Sequence, residues 1–310
     1  MKKEIHQKII EKIRSKTPIS LRQKIGPVLA HAYHIHRKYI TPNKKPTVLS
    51  IEQTIDFILE KKVSVIRFGD GEITLIDGQD LPFQKWDKIL AEKLEEILCV
   101  KENKLLICIP GMWEDLSIFV PYAHHFVKHH LYRYNHIWGK VLSYETMYGD
   151  TGVTRHYLGY NDKSNAGNIF KKIFAIWEGK DAVLIEGSKS RLGVGNDMFD
   201  NAKSLRRILC PPENAFSKYE EIKKEALNIG KENLILLSLG PTAKVLAYDL
   251  FLAGYRVVDI GHIDMEYEMF LRKETKQVKV PHKYFNEINE RNPVDCNDKD
   301  YVEQIIVTIT

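Results

Sequence analysis

The sequence contains few cysteines, and none of them lie close together. Its four cysteines, Cys99, Cys108, Cys210 and Cys296, are far apart in the chain and form no CxxC pair. Zinc ribbons and disulfide frameworks both require cysteines at short, regular spacings. We therefore expect reduced thiols, most of them buried, and neither of those two kinds of site.

Long hydrophobic runs are also missing. No stretch reaches the roughly 18 uncharged apolar residues that a membrane-spanning helix needs. Charged residues interrupt the first sixteen positions, so we expect no secretory signal there. The GxxxxGK(S/T) spacing of a P-loop does not occur either. These absences predict a cytoplasmic globular protein, and 310 residues with 44% hydrophobic content suffice for a sizeable core.

Acidic residues are scarce in the first 45 positions. That segment holds 12 Lys and Arg against 2 Asp and Glu, a net charge of +10, whereas the whole chain carries +5. The remaining chain is therefore mildly acidic, at −5. Because nucleic-acid-binding proteins normally carry their basic surface on the folded domain, we expect no nucleic-acid partner.

Residues 1–45 are predicted to form a basic helical extension. Ile5, Ile9, Ile10 and Ile13 recur at helical spacing with Lys and Arg between them. Two interpretations stay open for this extension. It packs against the body or a second subunit in a homodimer, or it makes peripheral contact with the anionic inner face of a membrane.

From residue 48 onwards, short apolar segments alternate with segments of helical periodicity. The apolar segments predict strands at 64–69, 104–110, 181–187, 233–240 and 255–261. Helical patterns lie between them at 83–98, 219–230 and 242–254. Continuously apolar strands that alternate with helices are typical of a mainly parallel sheet with helices on both faces. The sequence thus predicts an α/β domain over 46–285, with 286–310 as a C-terminal tail.

The first predicted strand is followed directly by two acidic residues. Open α/β sheets bind their ligands beyond the carboxyl ends of the strands, and Gly69, Asp70, Gly71 and Glu72 lie at such an end. In an extended segment, residues two apart project to the same side, so both carboxylates would meet at one point. Such a pair suits a divalent cation, with Arg67 binding phosphate or balancing the acids. The alternative is a solvated turn with a surface ion pair.

Two further predicted strand ends carry groups that favour anions. The loop from Ser188 to Asp200 is rich in glycine and contains Lys189 and Arg191, which could bind a diphosphate together with backbone N–H groups. Gly240, Pro241 and Thr242 begin a helix, where unpaired N–H groups favour anions. Ordinary helix capping explains this second segment equally well.

The remaining strand ends offer an apolar wall and a titratable cluster. The Pro211-Pro212 turn and Phe216 could flank a nucleobase, although a simple strand-to-helix corner is equally natural. His262, Asp264 and Glu266 alternate after the last predicted strand. They would supply acid–base groups or orient a sugar hydroxyl, unless they form only a polar strand edge.

Several of these segments together resemble a known family. The segments "IRFGDGEITLIDGQDLPFQKWDKILAEKLEEIL", "IEGSKSRLGVGND", "CPPENAF", "LLSLGPTAKVLAYDL" and "DIGHIDMEYEMF" are similar, in this order, to bacterial glycosyltransferases of the GT-D fold, first catalogued as a domain of unknown function. The resemblance extends from about Ser50 to Phe285. It implies a Rossmann-like fold that transfers a hexose, typically glucose from UDP-glucose, to a glycan such as that of a bacterial surface glycoprotein.

The resemblance also implies roles for individual residues. The family's DxE motif, which serves the nucleotide-sugar with a divalent cation such as manganese or magnesium, falls on Asp70-Gly71-Glu72. His262, Asp264 and Glu266 are the candidates for the acceptor side, where one of them would take the hydroxyl proton. The residues expected to bind the nucleotide-sugar are Arg67, Gly69, Gly71, Arg155, Lys189, Arg191, Gly193, Gly195, Asn196, Asp197, Pro211, Asn214, Phe216, Gly240, Pro241 and Thr242.

Two other functions are compatible with the same residues. A metal-dependent phosphohydrolase would use these acids and cations on a nucleotide-sugar, with water as the nucleophile. A non-catalytic partner of another transferase would bind a nucleotide or glycan without turning it over. Acceptor-dependent UDP release distinguishes the transferase from the hydrolase, and replacement of Asp70 and Glu72 by Ala distinguishes both enzymes from the non-catalytic partner.

Overall fold

The structure, a computed structural model, describes residues 45–288 and 290–310. Most of the predicted basic extension lies outside these ranges. Within them, nine strands form one sheet in the order β1-β4-β3-β2-β8-β7-β5-β6-β9, and every strand pair is parallel. The strands are β1 (Thr47–Val48), β2 (Ser64–Arg67), β3 (Leu105–Ile109), β4 (Met147–Asp150), β5 (Asp181–Gly187), β6 (Ser204–Cys210), β7 (Leu234–Ser238), β8 (Val257–Asp259) and β9 (Ile305–Thr308).

Helices connect the strands and cover both faces of the sheet. They are α1 (Ile51–Lys61), α2 (Asp70–Ile76), α3 (Lys88–Leu98), α4 (Pro121–Val141), α5 (Ala166–Phe174), α6 (Tyr219–Leu227), α7 (Thr242–Leu252), α8 (Ile263–Leu271) and α9 (Lys299–Gln304). Helices α2, α3, α4, α6 and α7 contribute to one buried apolar cluster. Helices α1, α5 and α8 contribute to the other. The predicted α/β architecture is therefore confirmed, and the apolar strands are buried because helices cover both of their sides.

The strand order places a crevice near the middle of the sheet. The chain after β2 runs to β3 and β4 on one side, whereas β5 and β6 lie on the other side of the β2–β8 pair. Helix α2 follows β2 onto one face, and α8 follows β8 onto the opposite face. The two loops therefore diverge above neighbouring strands, which is the arrangement that forms ligand sites in open α/β sheets.

The segment predicted as a C-terminal tail contributes to the sheet. Strand β9 pairs with β6 at the sheet edge, and the amide of Ile309 donates to the carbonyl of Leu209 at 2.8 Å. Strands β1, β4, β6 and β9 lie outside the five predicted strand ranges. Strand β1 is only two residues long, β4 (MYGD) has no apolar run, β6 (SLRRILC) is interrupted by two arginines, and β9 (IIVT), although apolar, lies in the segment predicted as a tail. In the described part of the chain, none of the helices has the length and apolar character needed to cross a membrane.

Candidate active site at the centre of the sheet

The two acidic residues after β2 lie in a helix rather than in an extended segment. Helix α2 begins at Asp70, with Gly69 as its N-cap, and the Gly69 amide donates to Glu72 Oε2 at 2.8 Å. The prediction that strand periodicity aligns Asp70 with Glu72 is therefore wrong. Within the first turn the two carboxylates still lie close enough for Glu72 to raise the pKa of Asp70.

Asp70 presents its side chain to solvent at the rim of the crevice. Desolvation of the carboxyl group is the largest effect on the pKa of Asp70 and raises it. The nearby charge of Glu72 raises this pKa further. Arg155 lowers the pKa and so opposes both effects. Because the residue as a whole is exposed, water moderates the rise. Asp70 is thus an accessible carboxylate beside a second one.

Glu72 is the first member of a buried chain of alternating charges. Its Oε1 lies 3.1 Å from Lys244 Nζ, and Lys244 lies 3.1 Å from Asp259 Oδ2. Asp259 Oδ1 in turn lies 3.2 Å from Arg67 Nη2. Burial raises the pKa of Asp259, but Arg67 and Lys244 outweigh this effect and lower it. This row of side chains therefore alternates two carboxyl groups with two basic groups and links α2, β2, α7 and β8.

Arg67 is fixed by several hydrogen bonds. Its Nε donates to the Asp259 carbonyl at 2.8 Å, and its Nη1 donates to Thr154 Oγ1. A Cβ atom at Gly261 would come within 1.8 Å of Arg67 Nη2, and Gly261 also has φ +43°. Position 261 thus requires glycine, since only glycine fits both the close contact and the left-handed conformation. Of the two predicted roles of Arg67, these contacts favour balancing of acidic groups.

A second charged group lies across the crevice. Arg155 follows the 3₁₀ turn Thr151–Thr154 after β4, and its Nη2 donates to Glu287 Oε1. Glu287 Oε2 lies 3.8 Å from Nδ1 of His262, the residue before α8. Burial raises the pKa of Glu287, but Arg155 and His262 lower it to about 2. Burial also lowers the pKa of His262, so its imidazole is neutral near pH 7.

Asp264 and Glu266 do not share a site with His262. The alternation of these residues predicts an extended segment, but they lie in the helix α8. Residues two apart in a helix point in different directions. Asp264 Oδ2 pairs with Lys283 Nζ at 2.7 Å. Glu266 Oε1 accepts hydrogen bonds from the amides of Tyr157 and Leu158, at 2.8 and 2.7 Å. Both carboxylates are buried and occupied by the protein's own groups.

The loop after β5 is also occupied largely by internal contacts. Arg191 Nη1 donates to the carbonyls of His282 and Val294, at 2.6 and 2.7 Å. The Gly193 amide and Asn196 Nδ2 both donate to Asp264 Oδ1. Lys189 Nζ donates to Asn292 Oδ1 at 2.7 Å, and the Tyr267 hydroxyl donates to Asp197 Oδ1 at 2.7 Å. At Gly195, by contrast, an added Cβ atom would face open space. These contacts anchor the loop to α8 and to the C-terminal segment.

The start of α7 lies beside the buried charge chain. Gly240 adopts φ +51°, Pro241 is the N-cap, and α7 begins at Thr242. The Thr242 hydroxyl is fully buried and has no hydrogen-bond partner among the described residues. The amides of Ala243 and Lys244 already donate to the carbonyls of Gly240 and Pro241, at 3.1 and 3.2 Å. The helix dipole and the unpaired Thr242 hydroxyl are therefore the features of this helix start that favour an anionic ligand.

The corner between β6 and α6 contacts the loop that follows α2. Asn214 adopts φ 52°, its amide donates to the Phe83 carbonyl at 2.8 Å, and its Oδ1 accepts from the Lys85 amide at 2.7 Å. Phe216 stacks on Tyr219 with ring centroids 5.2 Å apart. The corner beginning at Pro211 is therefore fixed relative to the α2 side of the crevice, and its predicted contact with a nucleobase stays a prediction.

Sequence reasoning missed three residues of this site. Lys244 is the one charged residue in the first turns of an otherwise apolar helix, and Asp259 ends an apolar strand, so both carried a signal. Glu287 carried none, because it lies in the segment that was assigned to a tail. Its contact with Arg155 joins residues 132 positions apart along the chain, which no local pattern can predict.

The sheet, its two helical layers and the polar side chains above its centre define a Rossmann-like α/β protein with a candidate site at a topological switch point. The model of the glycosyltransferase GT-D fold family matches residues 65–288. The chain belongs to this family. The resemblance stated from the sequence motifs is thereby confirmed.

Known relatives and solved structures agree with this assignment. The chain is 41% identical over 265 residues to the probable glycosyl transferase Gly of Streptococcus gordonii, and 39% identical over 264 residues to glycosyltransferase GlyD of Streptococcus pneumoniae serotype 4 (strain ATCC BAA-334 / TIGR4). These matches cover 85% and 84% of this chain but only 39% and 32% of the two relatives. The chain thus spans less than two fifths of their length.

Two solved structures superimpose closely on the fold. One is described as the domain of unknown function 1792 with a distinct glycosyltransferase fold. Its TM-score with this chain is 0.83 and its sequence identity is 38%, and the match covers 86% of this chain and 96% of the other chain. The other is a new glycosyltransferase of the same domain type from Streptococcus sanguinis, with a TM-score of 0.82 at 39% identity over 86% of this chain and 100% of its own.

Proposed function

We propose that the protein is a metal-dependent hexosyltransferase that moves glucose from UDP-glucose to a hydroxyl group of a glycan. One observation carries the proposal: Asp70 and Glu72 lie together at the switch-point crevice, with Lys244 beside Glu72 and His262 on the opposite side. This arrangement suits a donor with two negative phosphates and an acceptor that must lose a proton.

The residues present fit a divalent cation. Asp70 is the more available ligand, because Glu72 also accepts from Gly69 and pairs with Lys244. Among the described residues, no group of three or more His, Cys, Asp and Glu could hold a metal alone. Magnesium and manganese sites often use one or two carboxylates and complete their shell with substrate phosphates and water. A cation held by Asp70 would shield the diphosphate and stabilise the negative charge on departing UDP.

The donor's other groups would lie around the start of α7. The positive end of the helix dipole would attract the phosphates, and the unpartnered Thr242 hydroxyl would bind a phosphate oxygen. The Pro211 to Phe216 corner would lie against the uracil ring. Lys244 would keep Glu72 oriented, since it bridges Glu72 and Asp259.

His262 would act as the base on the acceptor side. In the transfer, the acceptor hydroxyl oxygen forms a bond to the anomeric carbon, and the bond from that carbon to the diphosphate oxygen breaks. The electron pair of the broken bond leaves with UDP, and the hydroxyl proton passes to the His262 imidazole. A neutral imidazole is required for this step, and the lowered pKa of His262 provides it.

The proposed acceptor class rests on the sequence resemblance. We expect a glycan of a bacterial surface glycoprotein or polysaccharide, assembled in the cytoplasm or at the inner face of the membrane. The basic residues 1–45 would favour the second location through anionic lipids, or would join two subunits.

A screen of nucleotide-sugars tests the proposal. The full chain is incubated with UDP-glucose and other nucleotide-sugars in Mn²⁺, with and without a panel of saccharide acceptors, and UDP release is measured. We expect the fastest release with UDP-glucose and a strong dependence on the acceptor. Release that is equally fast without any acceptor would identify a phosphohydrolase instead. No release with any donor, combined with nucleotide binding, would indicate a non-catalytic partner.

A further inference from the structure

Residues between α8 and α9 contact two loops that follow elements at the centre of the sheet. We call residues 280–288 and 290–295 the strap. Its Tyr284 amide donates to the Lys189 carbonyl at 2.8 Å, and its Arg291 Nη1 donates to the Pro82 carbonyl at 3.2 Å. The strap therefore contacts the loop between α2 and α3 and the loop after β5, and between these contacts Glu287 lies beside Arg155 and His262.

The two carboxylate oxygens of Glu287 have different neighbours. One oxygen accepts from Arg155, and the other lies 3.8 Å from His262 Nδ1. Nδ1 itself is buried and lacks a hydrogen-bond partner within the described residues. A buried ring nitrogen without a partner is costly, so a small approach of Glu287 would be favourable. Hydrogen bonds in active sites are often long without substrate and shorten in the substrate complex.

The surroundings of His262 leave Glu287 as the natural acceptor for Nδ1–H. Among the described residues, the charged groups that act most on His262 are Glu287, Arg155, Arg67 and Lys244. The three cations are donors only and cannot accept a hydrogen bond from the ring. With its proton on Nδ1, the ring keeps Nε2 unprotonated, and Nε2 is then the atom that can accept a proton.

We propose that Glu287 is a positioning residue that holds His262 with Nδ1 protonated and Nε2 free to accept the proton of the acceptor hydroxyl. The role of His262 in this inference rests on the proposed transferase function. Arg155 keeps Glu287 ionised and fixes its position. The strap therefore supplies part of the acid–base apparatus to a site whose other charged residues come mainly from β2, β8 and the helices α2 and α7.

Kinetics of paired variants test this role. In Glu287→Gln, the amide oxygen can still accept from Arg155, but the negative charge beside His262 is lost. We expect kcat for sugar transfer to fall about 10- to 100-fold, with KM for the donor nearly unchanged, because misplacement of a reacting group mainly affects the chemical step. The matched control is Glu290→Gln, which removes a carboxylate of the same strap that pairs with Lys279 at 2.6 Å. This control should retain the wild-type kcat.

A double-mutant cycle shows whether Glu287 acts through His262. In a His262→Asn background, adding Glu287→Gln should lower kcat by less than about twofold, since coupled residues are not additive. A second fall as large as that in the wild-type background would overturn the proposal, as would an unchanged kcat in the single Glu287→Gln variant.

Nitrogen-15 NMR of histidine-labelled protein tests the same point without turnover. The His262 signals are identified by their absence in His262→Asn. We expect the Nδ1-protonated tautomer in the wild type and its loss in Glu287→Gln, with the Glu290→Gln spectrum unchanged at His262. An Nε2-protonated tautomer in the wild type would contradict the inference even if the protein is an active transferase, whereas failure of the transferase assay alone would not alter this readout.

Discussion

At the scale of single residues, Lys244 holds the candidate site together. It lies 3.1 Å from a carboxylate oxygen of both Glu72 and Asp259, and all three side chains are buried. Removal of one partner from a buried ion pair leaves uncompensated charge in the interior, whereas the attraction between exposed ions is weak because water screens it. Lys244 thus contributes both to stability and to the orientation of Glu72.

Lys244→Met should lower the free energy of unfolding by about 3–5 kcal/mol, because two buried carboxylates lose their shared cation. The control is Lys88→Met, which removes an exposed lysine 3.7 Å from Glu92 and should change the same quantity by less than about 1 kcal/mol. Urea denaturation of both variants measures the difference. Equal stabilities for the two variants would show that the charge chain does not stabilise the fold.

At the scale of helices and strands, the sequence predicted what depends on local pattern. Strands such as β5 and β7 were recognised because burial on both faces makes them apolar throughout. The two-residue spacing of Asp70 and Glu72 was misread, since an alternation of only three residues does not distinguish a strand from the first turn of a helix. The capping contact of Glu72 with the Gly69 amide decides this case in favour of the helix.

Strand β9 extends the sheet beyond the region that the sequence motifs covered. Deletion of residues 305–310 would expose the edge of β6 and remove the buried side chain of Ile309. We expect this variant to have a lower melting temperature than the full chain and to aggregate more readily. Deletion of Thr310 alone, an exposed residue, is the control and should leave the melting temperature unchanged. An equally stable protein without β9 would mean that the edge strand is dispensable.

At the scale of the whole molecule, buried histidines make stability depend on pH. Burial lowers the pKa of both His130 and His156 to about 4. Their folded-state pKa lies below the unfolded value of 6.5, so this stabilisation is complete above pH 6.5 and is lost as the pH falls towards 4. Asp150 acts in the opposite direction, because burial raises its pKa to about 6 and its contribution is lost as the pH rises.

His130→Gln isolates one part of this pH dependence. Glutamine can still accept the hydrogen bond that Trp138 Nε1 donates to His130 at 2.9 Å, but it does not titrate. Between pH 6.5 and 4, we expect the free energy of unfolding of the variant to fall less than that of the wild type, by on the order of 2–3 kcal/mol. Urea denaturation at several pH values measures this, with His125→Gln at an exposed position as the control. Parallel pH profiles for the variant and the wild type would refute the assignment.

The sequence predicted the assembled crevice only in part, because local patterns do not show which groups the long-range packing of the chain brings together. Each strand end carried a local signal, and the convergence of Asp70, Glu72 and His262 on one region follows from a parallel sheet. The sequence did not show which polar groups are occupied internally. Asp264 and Arg191, for example, bond to groups from the strap or its flanking residues, whose position depends on the packing of the whole chain.

The most direct test of the central claim is calorimetric titration of UDP into the full chain in the presence of Mn²⁺. If Asp70 and Glu72 bind a cation that in turn binds the diphosphate, then Asp70→Asn or removal of the metal by EDTA should weaken UDP binding by at least about tenfold. Asp77→Asn, which changes an exposed carboxylate at the other end of α2, should bind UDP as the wild type does. UDP affinity that is the same in the wild type, in Asp70→Asn and in EDTA would contradict the account.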